Sequence, residues 1–257
     1  MSSVEEEISA YCKKLRLSHA FAERAMSTGE TANQEYLLEL LKKEVEMRAA
    51  GRIQKFMNAA GFPQHYRPDQ YHTEEIDFPA GITFQSLLDL DFYESGKNVI
   101  MYGGTGTGKT MLSILIGMSA CQKGIPVRFY RTTELVNLFA EAKERGRLSV
   151  FTAKLNKAKI LILDEFGYVP YDRIGSELLY DYLSSIHEQK PVILNTNLEF
   201  SQWVNILYDE RMTAALIGRL THHVELILFP GGNNRLRESS INEMMTRTAR
   251  RQEVHNG

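Results

Sequence analysis

Gly103-Gly104-Thr105-Gly106-Thr107-Gly108-Lys109-Thr110 is the stretch of this chain that decides its fold. It matches the pattern G-x-x-x-x-G-K-[ST], in which the backbone N–H groups of a glycine-rich loop surround the phosphates of a nucleotide. In such loops the lysine reaches the β- and γ-phosphates, and the hydroxyl that follows it binds Mg²⁺. The sequence therefore predicts that these eight residues contact ATP and that Thr110 also ligates Mg²⁺.

The residues on either side of the loop predict a strand before it and a helix after it. Asn98–Tyr102 is a short apolar run typical of a buried parallel strand, and Met111–Met118 reads as a helix. The loop therefore lies at a helix N-terminus, where the partial positive charge of the helix favours bound phosphate. Further helical segments alternate with four more predicted strands, at 127–130, 159–165, 191–197 and 224–229, and the second and third of these contain the apolar runs 160–163 and 192–194. We predict an α/β fold with a parallel sheet flanked by helices.

Two carboxylates follow one of these apolar runs and predict the catalytic chemistry. Asp164 comes directly after the run, and a carboxylate there can hold Mg²⁺ opposite Thr110. Glu165 can orient and deprotonate an attacking water. A water-activating glutamate favours ATP hydrolysis and weighs against a small-molecule kinase, because a kinase of that class must exclude water from its site.

Later polar residues offer candidates for contacts with the γ-phosphate. Asn197, at the end of the next strand, can fix the attacking water or sense the phosphate, and Asn195 is a nearby competitor. Arg211 and Arg219 are eight residues apart on a predicted helix, so both lie near one face. One of them could act as an arginine finger on the nucleotide of a neighbouring subunit; the alternative is a pair of surface salt bridges.

The pattern along the chain predicts four regions. These are an all-helical domain (1–62), a linker that leads into the next domain (63–97), the α/β core with the phosphate loop (98–234) and a short C-terminal helical tail (235–257); the family resemblance given below implies that the first binds DNA or a partner, that the core is an ATPase and that the tail is a lid. The long helix of the first region bears basic residues that could contact DNA phosphates, although glutamates interleave with them and a solvated helix face is the alternative. These residues are Lys42, Lys43, Arg48, Arg52 and Lys55.

Composition limits the remaining possibilities. The net charge of −2 gives no overall attraction to nucleic acid, so any DNA-binding surface must be local. The sequence has no apolar run long enough for a membrane span and no apolar signal core near its start, and we expect a cytoplasmic protein. Cys12 and Cys121 are too far apart for a metal-binding motif and are expected to be buried thiols. The adjacent His222 and His223 have no further ligand nearby in the sequence and are expected to cap a helix.

Several motifs together resemble one family. The chain contains GGTGTGKT, ILILDEFGYVP, ILNTNLEFSQW, IGRLTHH and GGNNRLRES, in this order. This combination resembles the IstB/DnaC-like AAA+ ATPases, and within them the IstB group, which consists of ATP-binding helper proteins for the transposition of insertion sequences. The helical region before residue 62 also looks like that of the IstB group, so the resemblance covers nearly the whole chain.

The resemblance implies a five-stranded AAA+ core that hydrolyses ATP with Mg²⁺. It also implies a homo-oligomer that assembles with ATP on double-stranded DNA, largely without regard to sequence, and recruits or activates a transposase. Within the site it implies that Asn197 is sensor 1, Arg219 the arginine finger and Arg235 sensor 2. Only residues 235–257 follow the last strand, which leaves a minimal lid. A DnaC-like loader of a replicative helicase is the alternative function, because its core would look nearly the same.

Overall fold

The computed structural model describes residues 3–27 and 31–231. The chain forms two compact units, Met1–Lys55 and Phe56–Gly257. The first unit is helical, as predicted, and its core includes the buried residues Ile8, Cys12, Leu38 and Leu41. Its helices are α1 (Ser3–Leu15), α2 (His19–Ser27) and α3 (Thr31–Ala60), the last of which continues into the second unit.

The second unit alternates helices and strands. Two short helices, α4 (Phe84–Asp89) and α5 (Asp91–Glu94), precede strand β1 (Asn98–Gly103). The elements that follow are α6 (Lys109–Gln122), β2 (Val127–Arg131), α7 (Thr132–Glu144), α8 (Leu148–Leu155), β3 (Ile160–Phe166), α9 (Arg173–Ser185), β4 (Val192–Thr196), α10 (Val204–Leu207), α11 (Glu210–Thr221) and β5 (Val224–Phe229). Each strand predicted from the sequence is present.

The five strands form one sheet in the order β2-β3-β4-β1-β5, and all of its strand pairs are parallel. The prediction of a parallel sheet flanked by helices is thus confirmed. Because all strands run in the same direction, their carboxyl ends meet at one edge of the sheet. The phosphate loop after β1, the two carboxylates of β3, Asn195 of β4 and Asn197 just after β4 are therefore brought to the same edge.

Successive side chains of each strand point to opposite faces of the sheet, so the core is divided into two parts, one on each face. In β3, Leu161 and Leu163 pack with the helices of one face, whereas Ile160 and Ile162 pack with residues of α6 on the other. All four side chains are fully buried. Successive residues of a strand point to opposite faces, so a strand covered on both sides must be apolar throughout. This explains the apolar runs of the central strands β1, β3 and β4, whereas the edge strands β2 and β5 also contain the charged residues Arg128 and Glu225.

Residues 63–97, expected to be a linker, are largely structured. They contain a 3-10 turn at Pro68–Gln70 and the helices α4 and α5. Leu87, Leu90 and Phe92 are buried against the core of the second unit, because the apolar residues of this stretch fall on one side of two short helices. None of the described helices is both long enough and apolar enough to cross a membrane.

Candidate functional site

The phosphate loop connects β1 to the first turn of α6. Gly108 has a φ of 100°, a conformation that favours glycine, and it directly precedes the helix at Lys109. The Lys109 ammonium group donates to the carbonyl oxygens of Gly103 at 2.7 Å and Gly104 at 2.6 Å. The loop thus holds a positive charge at the N-terminus of α6, where phosphate oxygens would be attracted.

The Asp164 carboxylate links three elements at the edge of the sheet. It is 4% exposed and accepts a hydrogen bond from the Thr110 hydroxyl, with both oxygens 3.0 Å away. Asn195 Nδ2 of β4 donates to the same carboxylate at 2.9 Å and to the Ser113 hydroxyl of α6 at 2.9 Å. The Thr132 hydroxyl fixes the strand itself, since it donates to the Asp164 carbonyl oxygen. A buried carboxylate requires such partners.

Glu165 differs sharply from its neighbour. The pairing of β3 with β4 shifts register between Leu163 and Phe166, and Glu165 has a φ of 55°. Its side chain is therefore exposed although Asp164 and Phe166 are buried. Its carboxylate lies 3.7 Å from the Arg131 guanidinium at the end of β2. A strained backbone of this kind is common at functional sites, and here it turns one carboxylate into the cavity.

A cavity of about 60 Å³ joins these groups. Asn195 of β4 and Asn197, just after β4, have different environments: Asn197 is exposed in this cavity, whereas Asn195 is buried and bound to Asp164. The cavity is lined by Thr105, Gly106, Lys109, Thr110, Asp164, Glu165, Tyr168, Asn195, Thr196 and Asn197. The structure thus brings together the phosphate loop, both carboxylates and Asn197.

A second cavity, of about 230 Å³, adjoins the other side of the loop. Tyr71 lies at its wall, donates through its hydroxyl to the Gly108 carbonyl oxygen at 3.3 Å, and stacks on Phe84 with ring centroids 5.4 Å apart. Tyr66, Gln70 and His72 also line it. None of these residues was among the sequence candidates, because they belong to the stretch expected to be a linker.

Comparison with known proteins identifies the family. The family model for IstB-like ATP binding protein matches residues 10–242. The chain belongs to this family. It is 31% identical over 246 residues to a protein of Geobacillus stearothermophilus named as an ATP-binding protein of insertion sequence IS5376, covering 93% of this chain and 98% of that one. A relative from Pseudomonas aeruginosa, named likewise for insertion sequence IS21, is 30% identical over 216 residues, covering 83% and 80%.

Solved structures show the fold of this IstB-like protein. Replication initiator DnaA bound to AMPPCP and single-stranded DNA matches with a TM-score of 0.52 and 18% identity, over 68% of this chain and 56% of that one. Domain III of the DnaA protein from Thermotoga maritima matches with a TM-score of 0.51 and 20% identity, over 65% and 70%. The IstB-like chain therefore has the AAA+ P-loop fold.

The predicted arginine finger lies away from the phosphate cavity. Arg219, on α11, donates to the Tyr180 hydroxyl of α9 at 2.8 Å. The Arg219 guanidinium also lies 5.3 Å from the centroid of the Tyr180 ring. Arg211 is exposed and lines a separate open cavity of about 850 Å³, together with Tyr180. Arg219 is not among the residues that line the phosphate cavity of the described chain. Arg235, predicted as sensor 2, falls outside the described residues.

The basic residues predicted to contact DNA divide into two groups on α3 of the IstB-like chain. Lys42 pairs with Glu7, Lys43 with Glu39 and Arg48 with Glu44, with N–O distances between 2.6 and 2.8 Å. Arg52 and Lys55 are exposed, and no ion pair to either is found within the described part of the chain. Three of the five candidates are thus partly neutralised, whereas the last two are not.

Proposed function

We propose that this protein is an ATP-hydrolysing AAA+ assembly factor that binds DNA as an ATP-dependent oligomer and recruits a transposase. The observation that supports this most is the contact of Thr110 with Asp164 below the phosphate loop, with Glu165 exposed beside it. Its relatives named as ATP-binding proteins of insertion sequences supply the biological setting.

The donor set beside the loop fits a bound Mg²⁺ ion. Thr110 and Asp164 offer only oxygen atoms, the ligands that Mg²⁺ prefers, and they already lie within hydrogen-bond distance of each other. Mg²⁺ there would neutralise charge on the phosphate oxygens of ATP. Lys109 would exchange its carbonyl partners for phosphate oxygens, and the cavity beside Tyr71 would hold the nucleotide base.

The residues exposed in the phosphate cavity would perform hydrolysis. Glu165 would take a proton from the attacking water, and Asn197 would hold this water or the γ-phosphate. The Arg131 guanidinium lies 3.7 Å from the Glu165 carboxylate, on the β2 side of the cavity.

Two variants test hydrolysis separately from binding. Lys109→Ala should weaken ATP binding at least tenfold, because a charge at the phosphates is lost. Glu165→Gln should bind ATP normally and hydrolyse it at least about 100-fold more slowly, since only proton transfer is removed. Nucleotide affinity and phosphate release are measured for both proteins. Hydrolysis by Glu165→Gln at the wild-type rate would contradict the assignment of the general base.

The partner is tested by capture. The Glu165→Gln protein, held in its ATP state, is immobilised with ATP and duplex DNA and offered either a transposase of the corresponding insertion sequence or a replicative helicase. We expect retention of the transposase, and we expect none with the Lys109→Ala protein as matched control. Retention of the helicase alone would assign the chain to the loader class instead.

A further inference from the structure

Three metal-binding side chains meet at the edge of the sheet opposite the phosphate loop. His187 and Glu188 follow the end of α9 and precede β4. His222 caps the C-terminal end of α11, just before β5. The chain segments that precede the strands lie close together at this edge. For example, the Asn98 N–H group at the start of β1 donates to the His223 carbonyl oxygen, just before β5, at 2.8 Å. Residues 35 positions apart in the chain (222 − 187) are thereby juxtaposed.

The Glu188 carboxylate lies between the two imidazole rings. Its Oε1 atom is 3.7 Å from His187 Nε2 and 3.6 Å from His222 Nδ1. One ligand atom from each of the three residues lies within 4.8 Å of the other two. Tetrahedral coordination at about 2.1 Å from a metal places ligand atoms about 3.4 Å apart, so small side-chain rotations suffice to close the site.

The chemistry of the three ligands favours a particular class of metal. Two imidazole nitrogens and one carboxylate oxygen form a set typical of Zn²⁺ sites with three protein ligands and a water. Mg²⁺, the ion expected at the phosphate site, prefers oxygen ligands and would not compete well here. Half-buried His187 and exposed His222 and Glu188 leave the site accessible to an ion from solvent.

We propose that His187, Glu188 and His222 bind one divalent transition-metal ion, with Zn²⁺ as the preferred ion. The site is independent of the proposed ATPase function and uses none of its residues. Its effect would be mechanical: the ion ties the C-terminal ends of α9 and α11, the two helices joined by the contact between Tyr180 and Arg219. His222 is three residues from Arg219, so metal binding would stiffen the last turn of α11.

Titration of the full-length protein, without an affinity tag and after treatment with a chelator, tests the site. Calorimetry with ZnCl₂ alone should give one ion per chain, and the same ion should raise the melting temperature. His187→Ala and His222→Ala should each weaken zinc binding at least tenfold. His65→Ala, a substitution of a histidine elsewhere in the same unit, serves as the matched control and should leave the affinity unchanged.

Two further measurements control for unfolding of the variants and for nonspecific metal binding. Melting temperatures of the variants in chelator should match that of the wild type, which shows that the substitutions have not unfolded the protein. Co²⁺ should develop the visible absorption of a tetrahedral complex in the wild type and lose it in His222→Ala. Zinc binding that is absent in the wild type, or equal in His222→Ala and His65→Ala, would overturn the proposal.

Discussion

Asp164 is the residue on which the phosphate site depends most. Its buried carboxylate accepts hydrogen bonds from Thr110 and Asn195, which belong to two different elements. Burial of a carboxylate is costly unless such donors compensate it, so each donor contributes to folding. Asn195 also bonds to Ser113 and so connects β4 to α6.

Asn195, in β4, and Asn197, just after it, should therefore respond differently to substitution. Asn195→Ala leaves part of the Asp164 carboxylate unpaired and should lower the free energy of unfolding by about 1–3 kcal/mol. Asn197→Ala removes an exposed group and should leave unfolding unchanged while slowing ATP hydrolysis. Urea denaturation and phosphate release measured on both proteins check this. Loss of turnover without loss of stability in Asn195→Ala would give the catalytic role to Asn195.

Local motifs account for the part of the site that the sequence could predict. Lys109, Thr110 and Asp164 each follow directly from a short pattern beside an apolar run. Arg131 and Asn195 could not be assigned in this way, because their contacts depend on which strands are neighbours and in what register. The pairing of Arg131 with Asp164 across β2 and β3 decides that Arg131 reaches Glu165. An asparagine within the otherwise apolar β4 was the one available signal for Asn195.

At the scale of elements, Lys190 connects the turn before β4 to the turn before β3. Its ammonium group donates to Asn156 Oδ1 at 3.1 Å and to the Tyr182 hydroxyl at 3.0 Å. Burial, with a smaller contribution from the charge of Lys159, lowers the pKa of Lys190 from 10.5 to about 8. The charged form is thus disfavoured in the folded protein.

This shift predicts how stability depends on pH. Between about pH 8 and the unfolded value of 10.5, the unfolded chain retains the proton that the folded chain has lost. Stability contributed by Lys190 therefore rises with pH in that window. The free energy of unfolding of the wild type, relative to Lys190→Met, should increase from pH 7.5 to 9.5. Lys154→Met, at an exposed lysine, is the control and should show no such dependence on pH. A difference in unfolding free energy between wild type and Lys190→Met that does not change with pH would contradict the shifted pKa.

Element types were easier to predict than their packing. Apolar residues predicted the five strands, because the central strands β1, β3 and β4 are buried on both faces of the sheet and the edge strands β2 and β5 are buried mainly on one. The helices α4 and α5, within the stretch 63–97 expected to be a linker, were not predicted because they are too short for a helical period to be visible. Their capping is local, however: the Thr83 hydroxyl accepts from the Ser86 N–H group at 3.0 Å. A capping pattern before Phe84 was thus available in the sequence.

At the scale of the whole molecule, the position of Arg219 bears on subunit cooperation. Arg219 contacts Tyr180 and is not among the described residues that line the phosphate cavity of its own chain. If Arg219 acts on the nucleotide of a neighbouring subunit, Arg219→Ala should bind ATP and fail to hydrolyse it.

Mixing experiments distinguish action between subunits from loss of structure. Addition of Lys109→Ala protein, which keeps Arg219, should restore part of the hydrolysis of Arg219→Ala. Arg211→Ala, on the same helix, and Tyr180→Phe, which keeps the ring, serve as controls and should retain activity. Full activity of Arg219→Ala by itself would remove the arginine finger from the proposal.

DNA affinity should depend mainly on Arg52 and Lys55, the two basic candidates of α3 for which no ion pair is found among the described residues. Binding to backbone phosphates releases counterions, so affinity should fall steeply with salt and differ little between unrelated duplexes. Arg52→Gln with Lys55→Gln should reduce the slope of log affinity against log salt by up to about 2. The double variant Lys42→Gln with Lys43→Gln is the matched control. It should change the salt slope less, because both of these lysines already pair with glutamates. Equal effects in both pairs, measured by anisotropy with ATP, would contradict this ranking.

The order of strands in the sheet also governs how the protein is made. β1, which leads into the phosphate loop, pairs only with β4 and β5, and 94 residues separate Val99 from its partner Ile193 (193 − 99). A ribosome adding about 5–20 residues per second needs about 5 to 19 s to reach that partner. Until then, the nascent chain exposes the unpaired edges of an apolar strand. The nucleotide site therefore forms late in translation, and the interval is one in which a chaperone that shields apolar strands would raise the yield of active protein.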